Sequence, residues 1–428
     1  MRVILISQFF YPEPNSPRGI EFAKELVNAG HEVVCVTAFP NYPDGRIYDG
    51  YRQSLRKREK IDGVKVIRIP LYINHTKSAF KRFLSYGSFA VSLCFILPLT
   101  VKGKFDIMFS YCPPITVPFA TIFLNWYYRS KLVVDIQDFW PDTLTSAGGI
   151  SRKSFLFKMI SNFSYFTYRR ADHISAISPG FKRKLVEKGF LAKHITVIYN
   201  WSTAKEQEQL SKEQIFNLKN NLDFKDNFII LFAGNVGQAQ ALDHTIDAMK
   251  LIQDSHPKIQ MYFYGSGVEK IRLLKICKKQ QVNNIHFRDR VSLEEINKIQ
   301  QAADVLYLHL KDDPLFKITI PSKLSGYLML GRPIIGGLKG DANDLLNQSE
   351  AGLVYTSENS HELKDRLVQM YNLSIEEREI MATKGITFYK ETISKKVGVA
   401  KFVKVFNSLI NSPKVQDISR VEKFTHNP

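Results

Sequence analysis

Cysteine is scarce in this chain and shows no paired spacing. The 428 residues include only four cysteines, at positions 35, 94, 112 and 277. Isolated cysteines of this kind predict neither a disulfide framework nor a zinc site, and a reducing compartment suits them best. A signal peptide is not predicted either, because the apolar run 1–7 is too short. We interpret that run as the first strand of a domain.

Acidic residues are few relative to basic ones. The chain has 59 Lys and Arg against 41 Asp and Glu, which gives a formal net charge of +18. The basic excess is concentrated between residues 52 and 104. Such an imbalance indicates an acidic partner, which is a nucleic acid, an anionic membrane or a phosphorylated substrate. Hydrophobic content of 44% and charged content of 23% are typical of a globular protein.

Long uncharged runs are rare as well, and the exception is 83–101. Its length approaches a membrane span, but polar and small residues and Pro98 interrupt it. Lys81 and Arg82 precede the run, and Lys102 and Lys104 follow it. Two interpretations stay open. The run is either an interfacial helix on anionic lipid or a helix buried against the N-terminal sheet, and spanning is less favoured than both.

The length and the order of apolar segments predict two domains, since 428 residues exceed one hydrophobic core. Strand-like runs alternate with helical ones, which is typical of a parallel, doubly wound sheet. A polar segment, 204–226, separates two such series. We therefore predict an α/β protein with two Rossmann-like domains whose parallel sheets face a central cleft. The domains are 1–203 and 204–390, and 391–428 forms a final helix and a polar tail.

The stretch from Ile320 to Ile335 is the most informative part of the sequence. A loop ends at Pro321, and a helix follows that closes at Gly331. The free amide groups and the dipole at a helix start suit a phosphate. Lys323 adds a positive charge in the first turn, where lysine is uncommon. An ordinary loop-to-helix junction is the alternative interpretation.

Glycine-containing loops follow other predicted strands of the second domain. Glycine lets the backbone approach a phosphate closely, and Arg290 could neutralise a diphosphate by forked hydrogen bonds. Tight turns are the alternative for both loops. The candidate ligand-binding residues of this domain are Gly234, Asn235, Val236, Gly237, Gly265, Gly267, Pro321, Ser322 and Lys323.

The N-terminal domain offers candidates at its own strand ends. Asp138 follows the strand 132–136 and could orient sugar hydroxyls or act as a base. Trp140 could stack on a sugar face, although a Trp-Pro corner with Asp142 as a helix cap is the alternative. Arg18 and Gly19 follow the first strand, and Arg18 could meet a phosphate. No histidine arrangement suggests a triad or a metal site.

Several segments together resemble bacterial glycosyltransferase family 4, in the branch found in O-antigen and capsule gene clusters. That branch includes proteins assigned as fucosamine transferases. The matching segments are Gln8-Phe9-Phe10-Tyr11-Pro12-Glu13-Pro14, Gly30-His31-Glu32-Val33, Phe39-Pro40-Asn41-Tyr42-Pro43, Asp138-Phe139-Trp140-Pro141-Asp142, the run from Phe232 to Gln240, Ile320-Pro321-Ser322-Lys323 and Gly331-Arg332-Pro333.

The resemblance implies a GT-B fold and a retaining transfer from a nucleotide sugar, usually a UDP-sugar, without an essential metal or another cofactor. It implies that the donor diphosphate lies at the Gly234–Gly237 loop and the Pro321 helix start. The acceptor, a polyprenyl-diphosphate-linked sugar, would lie on the N-terminal domain. The final helix would cross back to that domain. The protein would be peripheral, on an anionic surface at the cytoplasmic face of the bacterial inner membrane, with no nucleic-acid partner.

The sequence departs from the family pattern at three places. Ile318 and Gly326 stand where many members have two glutamates. The Gly234 loop lacks the arginine and lysine that often hold the diphosphate, so Lys323 and Arg290 would supply the charge. Gln137 stands where a histidine is frequent.

Retaining glycosyl transfer in surface-polysaccharide assembly is the main interpretation, with Asp138, Lys323 and Arg290 as catalytic residues. A UDP-sugar 2-epimerase of the same fold is the first alternative, and only its products would distinguish it. A non-catalytic basic binding protein is the second. The absence of a recognised nucleic-acid motif speaks against that reading.

Overall fold

The computed structural model describes residues 1–14, 17–74, 79–146, 151–203, 209–224 and 226–411. Asn15 and Ser16 lie outside these ranges, and so does the chain after residue 411, which belongs to the predicted polar tail. The chain divides into two compact units. Unit 1 comprises Met1–Thr203 with Lys395–Pro428, and unit 2 comprises Ala204–Ser394.

Unit 1 contains an eight-stranded sheet in the order β3-β4-β2-β1-β5-β6-β7-β8, in which only β3 is antiparallel to its neighbour. Its strands are β1 (Arg2–Ile6), β2 (Glu32–Ala38), β3 (Lys57–Ile61), β4 (Val64–Ile69), β5 (Ile107–Cys112), β6 (Lys131–Ile136), β7 (His173–Ala176) and β8 (Ile195–Val197). Its helices are α1 (Ile20–Asn28), α2 (Ala79–Thr100), α3 (Thr116–Tyr128), α4 (Asp142–Ser146), α5 (Phe155–Arg169) and α6 (Pro179–Glu187). Parallel strands covered on both faces explain why β1, β2 and β6 are mostly apolar and are buried at consecutive positions.

Unit 2 contains a six-stranded, wholly parallel sheet in the order β11-β10-β9-β12-β13-β14. Its strands are β9 (Phe228–Ala233), β10 (Ile259–Tyr264), β11 (Ile285–Arg288), β12 (Val305–His309), β13 (Ile334–Gly337) and β14 (Gly352–Tyr355). Its helices are α7 (Lys212–Asn221), α8 (Asp243–Ile252), α9 (Lys270–Gln280), α10 (Leu293–Ala302), α11 (Ser322–Leu330), α12 (Asp341–Ser349), α13 (Ser360–Asn372) and α14 (Ile375–Phe388).

The last helix, α15 (Lys395–Asn411), packs on unit 1. Its Phe402 ring lies 5.0 Å from the ring of Phe22 on α1 and 5.3 Å from that of Phe109 on β5. Lys395 forms ion pairs with Glu21 and Glu25. Unit 2 extends to Ser394, beyond the predicted limit of 390, because a π-helical turn, Tyr389–Ile393, continues from α14.

Several elements differ from the sequence predictions. The segment 204–226, expected to be a connection, contains α7, which a capping box between Ser211 and Gln214 starts. Strand β3 was missed because its residues are mostly charged, as an edge strand allows. Strand β14 and helix α3 were also missed. Helix α1, which the sequence predicts to start at Asn15-Ser16-Pro17, begins at Ile20 with Gly19 as its N-cap.

Candidate functional site

The loop after β9 contains the predicted Gly234–Gly237 segment. The amide of Gly234 donates to the carbonyl of Tyr264 at 2.8 Å, and the amide of Val236 donates to the carbonyl of Ser266 at 2.9 Å. These hydrogen bonds extend the pairing of β9 and β10 beyond the strands themselves. Two of the predicted loops therefore lie side by side at the carboxyl edge of the unit 2 sheet, where ligands of open α/β sheets bind.

The close packing of the two loops explains why residues 265 and 267 are glycines. Their φ angles are +153° and +159°. A Cβ at Gly265 would lie 1.9 Å from the carbonyl oxygen of Gly234, and one at Gly267 would lie 2.1 Å from that of Val236. Any side chain at either position would push the two loops apart. These glycines thus shape the loop pair through backbone packing, and their role in binding a ligand stays a prediction.

Lys323 lies against the same loop. It is in the first turn of α11, which begins after Pro321 as N-cap. A Cβ placed on Gly234, whose φ is +134°, would lie 2.6 Å from Cε and 2.7 Å from Nζ of Lys323. The Nζ also sits 3.8 Å from the ring centroid of Phe232 on β9. The structure therefore brings together two predicted parts, the Gly234 loop and the Pro321 helix start.

The charge of Lys323 has no anionic partner among the described residues. Burial lowers the pKa of its ammonium group to about 8. No side chain of the described part of the chain caps α11, so its first amides add the positive end of the helix dipole. A half-buried, uncompensated cation beside a glycine loop and a helix start is an arrangement that an anionic group would stabilise.

Two further residues, Tyr327 and His309, support this arrangement, and the sequence analysis missed both. The amide of Ala233 donates to the hydroxyl of Tyr327 at 3.3 Å, which ties α11 to the end of β9. His309 at the end of β12 donates from Nδ1 to the carbonyl of Gln240, and its Nε2 accepts from the amide of Glu358 at 3.0 Å. Burial lowers the pKa of His309 to about 3, so the ring is neutral and positions the Gln238–Gln240 turn. The sequence does not reveal this role, because nothing around a histidine inside an apolar strand indicates which backbone groups it contacts.

Arg290 is exposed in the loop after β11, and none of the described contacts joins it to Lys323. Its role in binding a diphosphate stays a prediction.

A different cation, Lys270, lies at the end of this loop. Its Nζ donates to the carbonyls of Gly265 and Arg288 and forms an ion pair with Asp289. Its position in the first turn of α9, after the Gly265-Ser266-Gly267 loop, resembles that of Lys323 in α11 and was a signal the analysis overlooked.

In unit 1, Asp138 and Trp140 follow β6 as predicted. Burial raises the pKa of the Asp138 carboxyl, and both side chains are half-buried. The buried indole Nε1 of Trp140 has no hydrogen-bond acceptor among the described residues. Asp142 begins α4 and forms ion pairs with Arg152 and Lys184, at 3.1 Å and 2.8 Å. A half-buried acid beside an unsatisfied N–H donor is compatible with binding of hydroxyl-rich ligands.

The structure corrects the prediction that Arg18 meets a phosphate of the acceptor. Arg18 is 1% exposed. Its guanidinium carbon lies 4.3 Å from the ring of Trp201 and 4.9 Å from that of Phe402, and its Nε lies 3.5 Å from Oδ2 of Asp135. Gly19 is likewise buried, as the N-cap of α1. Both residues are enclosed in unit 1 because α15 and the end of β8 cover the position that the sequence analysis took to be open.

Arg18 acts on the candidate site through Asp135. The Oδ2 of Asp135 also accepts from the side-chain amide of Gln137, and its Oδ1 accepts from the hydroxyl of Ser175. The Oε1 of Gln137 in turn accepts from Nδ2 of Asn200 at 2.7 Å. A buried network therefore holds Gln137, the residue next to Asp138, in one orientation.

Glu13 explains why two of the quoted N-terminal segments occur together. Its carboxylate accepts hydrogen bonds from the amides of Phe10, Asn41 and Tyr42. The segments 8–14 and 39–43 are therefore joined by one buried acid, whose pKa burial raises. No group of three or more His, Cys, Asp or Glu residues in the described ranges is placed to hold a metal ion.

Comparisons with known proteins agree with this architecture. Residues 21–201 match the glycosyl transferase 4-like domain, and residues 213–388 match the glycosyl transferases group 1 domain. Among curated proteins, the "Putative colanic acid biosynthesis glycosyl transferase WcaI" of Escherichia coli is 29% identical over 314 residues, which are 73% of this chain and 76% of that protein. The "Probable glycosyltransferase WbjE" of Pseudomonas aeruginosa is 23% identical over 269 residues, 62% of this chain and 66% of that protein.

Solved structures with the same fold include HepE of Anabaena in complex with UDP and glucose. Its TM-score is 0.63 at 14% identity, with 95% of this chain and 99% of that chain covered. Sucrose-phosphate synthase of Thermosynechococcus elongatus has a TM-score of 0.67 at 13% identity, with 95% and 98% covered. With the two matched domains spanning most of its length, this chain is a glycosyltransferase of the GT-B fold.

Proposed function

We propose that the chain is a retaining glycosyltransferase that moves a sugar from a UDP-sugar to a lipid-linked saccharide during the assembly of a bacterial surface polysaccharide. Unit 2 binds the donor and unit 1 the acceptor, a polyprenyl-diphosphate-linked sugar. The names of relatives support this: HepE was solved with UDP, and WcaI is named for colanic acid biosynthesis. The protein works as a peripheral protein at the cytoplasmic face of the inner membrane.

The observation that carries the proposal is Lys323, a desolvated lysine without an anionic partner beside the Gly234 loop. A diphosphate placed there would stabilise the charged form of the lysine and accept hydrogen bonds from the first amides of α11. The same contacts strengthen as negative charge develops on the departing diphosphate, so they favour the transition state over the bound donor.

The proposed reaction needs no nucleophilic side chain. The acceptor hydroxyl attacks the anomeric carbon from the face that the diphosphate leaves. The bond from the anomeric carbon to the acceptor oxygen forms as the bond to the phosphate oxygen breaks, and the hydroxyl proton passes to that departing oxygen. Lys323 replaces the charge that a metal would otherwise supply, so we expect full turnover in the presence of EDTA.

Donor binding is expected to be selective for UDP. A ligand at a hundred times its dissociation constant stabilises the bound fold by about 2.7 kcal/mol, which a thermal-shift assay detects. A panel of UDP, GDP, ADP and several UDP-sugars should give a shift with the uridine nucleotides. If no nucleotide shifts the melting temperature, the donor site is lost and the proposal fails.

Product analysis separates the transferase from the epimerase of the same fold. A UDP-sugar incubated without acceptor should be recovered unchanged, apart from slow hydrolysis, and sugar should appear on a lipid-linked acceptor when one is added. Conversion of the UDP-sugar into its 2-epimer without acceptor would establish the isomerase instead.

We expect the ionised, carboxylate form of Asp138 in unit 1 to be the form that supports turnover. Burial raises its pKa, so the group becomes protonated at a higher pH than an exposed aspartate. Turnover should fall as the pH decreases through this raised pKa, and Asp138→Asn should lower kcat and abolish the acid limb of the pH profile. The UDP-induced thermal shift should persist, because unit 2 binds the donor. An unchanged profile in Asp138→Asn would exclude the role.

A further inference from the structure

Three helices of unit 1 expose large apolar side chains to solvent. Helix α3 lies between α2 and α5. The hydroxyl of Tyr128 on α3 donates to the carbonyl of Leu97 on α2 at 3.1 Å, and the ring centroid of Phe119 on α3 lies 4.7 Å from that of Phe163 on α5. We call the outward side of this layer the aromatic face. It includes Phe95 and Leu99 of α2, Phe123 and Trp126 of α3, and Phe155 and Met159 of α5.

The exposure of these side chains is large. Trp126 is 85% exposed, Phe155 82% and Phe95 71%. Single exposed apolar residues are common, but several large ones on adjoining helices mark an interaction surface. The inward side of α2 is fully buried at Phe89, Leu93 and Leu97, so the outward residues are not needed for the core.

The charged side chains of the three helices that form the aromatic face are all basic. The sequences of α2, α3 and α5 contain no aspartate or glutamate. Exposed cations lie at their ends and among their residues, at Arg82, Lys102, Arg129 and Lys158. Aromatic side chains bordered by basic ones without acids are typical of surfaces that bind anionic lipid.

The topology decides how α2 meets a membrane. Lys81–Thr100 is long and apolar enough to cross one. However, α2 connects β4 to β5, and both are strands of the same sheet. A spanning α2 would place them on opposite sides of the bilayer, which their sheet forbids. The topology therefore excludes a spanning α2 and leaves only its outward side free to contact lipid.

We propose that the aromatic face inserts into the headgroup region of an anionic bilayer, with α3 and α5 contributing as much as α2. The proposal identifies the membrane-binding surface of the proposed function and rests on that function's lipid-linked acceptor. Binding itself requires neither donor nor turnover. The sequence analysis considered only 83–101, because neither the position of α3 beside α2 nor the exposed side of α5 follows from the sequence.

Tryptophan fluorescence tests the proposal on the full chain. The protein has three tryptophans; Trp201 is buried, Trp140 is half-buried and Trp126 is exposed. Vesicles of three parts phosphatidylcholine to one part phosphatidylglycerol should shift the emission to shorter wavelength, whereas phosphatidylcholine alone should do so weakly. In Trp126→Phe the blue shift should disappear while co-sedimentation with vesicles persists.

A second variant tests the contribution of α3 and α5. Trp126→Ala with Phe155→Ala should weaken vesicle binding at least about tenfold, because the variant lacks two large apolar side chains whose transfer from water into the bilayer favours binding. The matched control is Phe216→Ala, which removes an exposed aromatic from unit 2. It should bind vesicles like the original protein.

Two results would overturn the proposal: vesicle binding that the double variant retains, or a dimer in sedimentation velocity that the double variant dissociates. The second result would mean that another copy covers the face. The UDP-induced thermal shift is measured on the same samples. Its persistence in the double variant shows that unit 2 is intact, so loss of vesicle binding is separable from failure of the proposed transferase.

Discussion

Replacing Lys323 with alanine is expected to lower kcat by about 10²- to 10³-fold, the usual effect of removing one donor that stabilises a developing anion. The residue is the uncompensated cation beside the Gly234 loop. Lys323→Met separates charge from packing, because it keeps an apolar stem against Phe232. Both variants should lose turnover and UDP affinity while their circular dichroism spectra stay unchanged.

The pH dependence of UDP binding follows from the same lysine. In the free protein burial lowers the pKa of Lys323 to about 8, so the ammonium form predominates below that pH and is lost above it. UDP affinity should therefore fall as the pH rises above about 8, approaching about tenfold per pH unit. Titration calorimetry across this range measures the effect, and Lys323→Met should show no such decline.

The matched control is Lys275→Ala, which removes an exposed lysine of α9 in the same unit. Its turnover and UDP affinity should equal those of the original protein. If Lys323→Ala retains normal turnover, or if Lys275→Ala loses as much, the assignment of the diphosphate to Lys323 is wrong.

Replacing Arg18 with alanine is expected to destabilise unit 1 by about 3–5 kcal/mol, because it leaves the fully buried Asp135 without its cation. The stacking on Trp201 and Phe402 is lost as well. Denaturant unfolding followed by the fluorescence of the buried Trp201 reports on this unit. The UDP-induced thermal shift of unit 2 should persist.

A charge-neutral double variant distinguishes the buried pair from an acceptor contact. Arg18→Met with Asp135→Asn should recover a large part of the lost stability, since neither buried charge remains. Arg129→Ala, which removes an exposed arginine at the end of α3, should change stability little. If Arg18→Ala left stability intact and raised only the KM for the acceptor, Arg18 would be an acceptor ligand after all.

The apolar periodicity of the sequence was sufficient to predict most of the fold. Strands that parallel neighbours and helices enclose are mostly apolar, as Phe228–Ala233 in the middle of the unit 2 sheet illustrates. The misses have physical causes. The charged β3 lies at a sheet edge, and the polar α7 is started by a local cap rather than by an apolar stripe.

The candidate site could be predicted only where local chemistry defines it. The loop glycines and the first-turn lysine could be predicted because φ angles and helix starts depend on residues that are close in sequence. The lowered pKa of Lys323 depends on burial against Phe232 and Gly234, which are distant in sequence. Arg18 was misassigned for the same reason, since its partners Asp135 and Phe402 come from remote parts of the chain.

A crystal structure of the complex with UDP tests the central claim most directly. The account predicts that the diphosphate lies within hydrogen-bonding distance of Lys323 Nζ and of backbone amides in the Gly234–Gly237 loop and the first turn of α11. A UDP molecule bound elsewhere, or one whose phosphates do not contact Lys323, would contradict it.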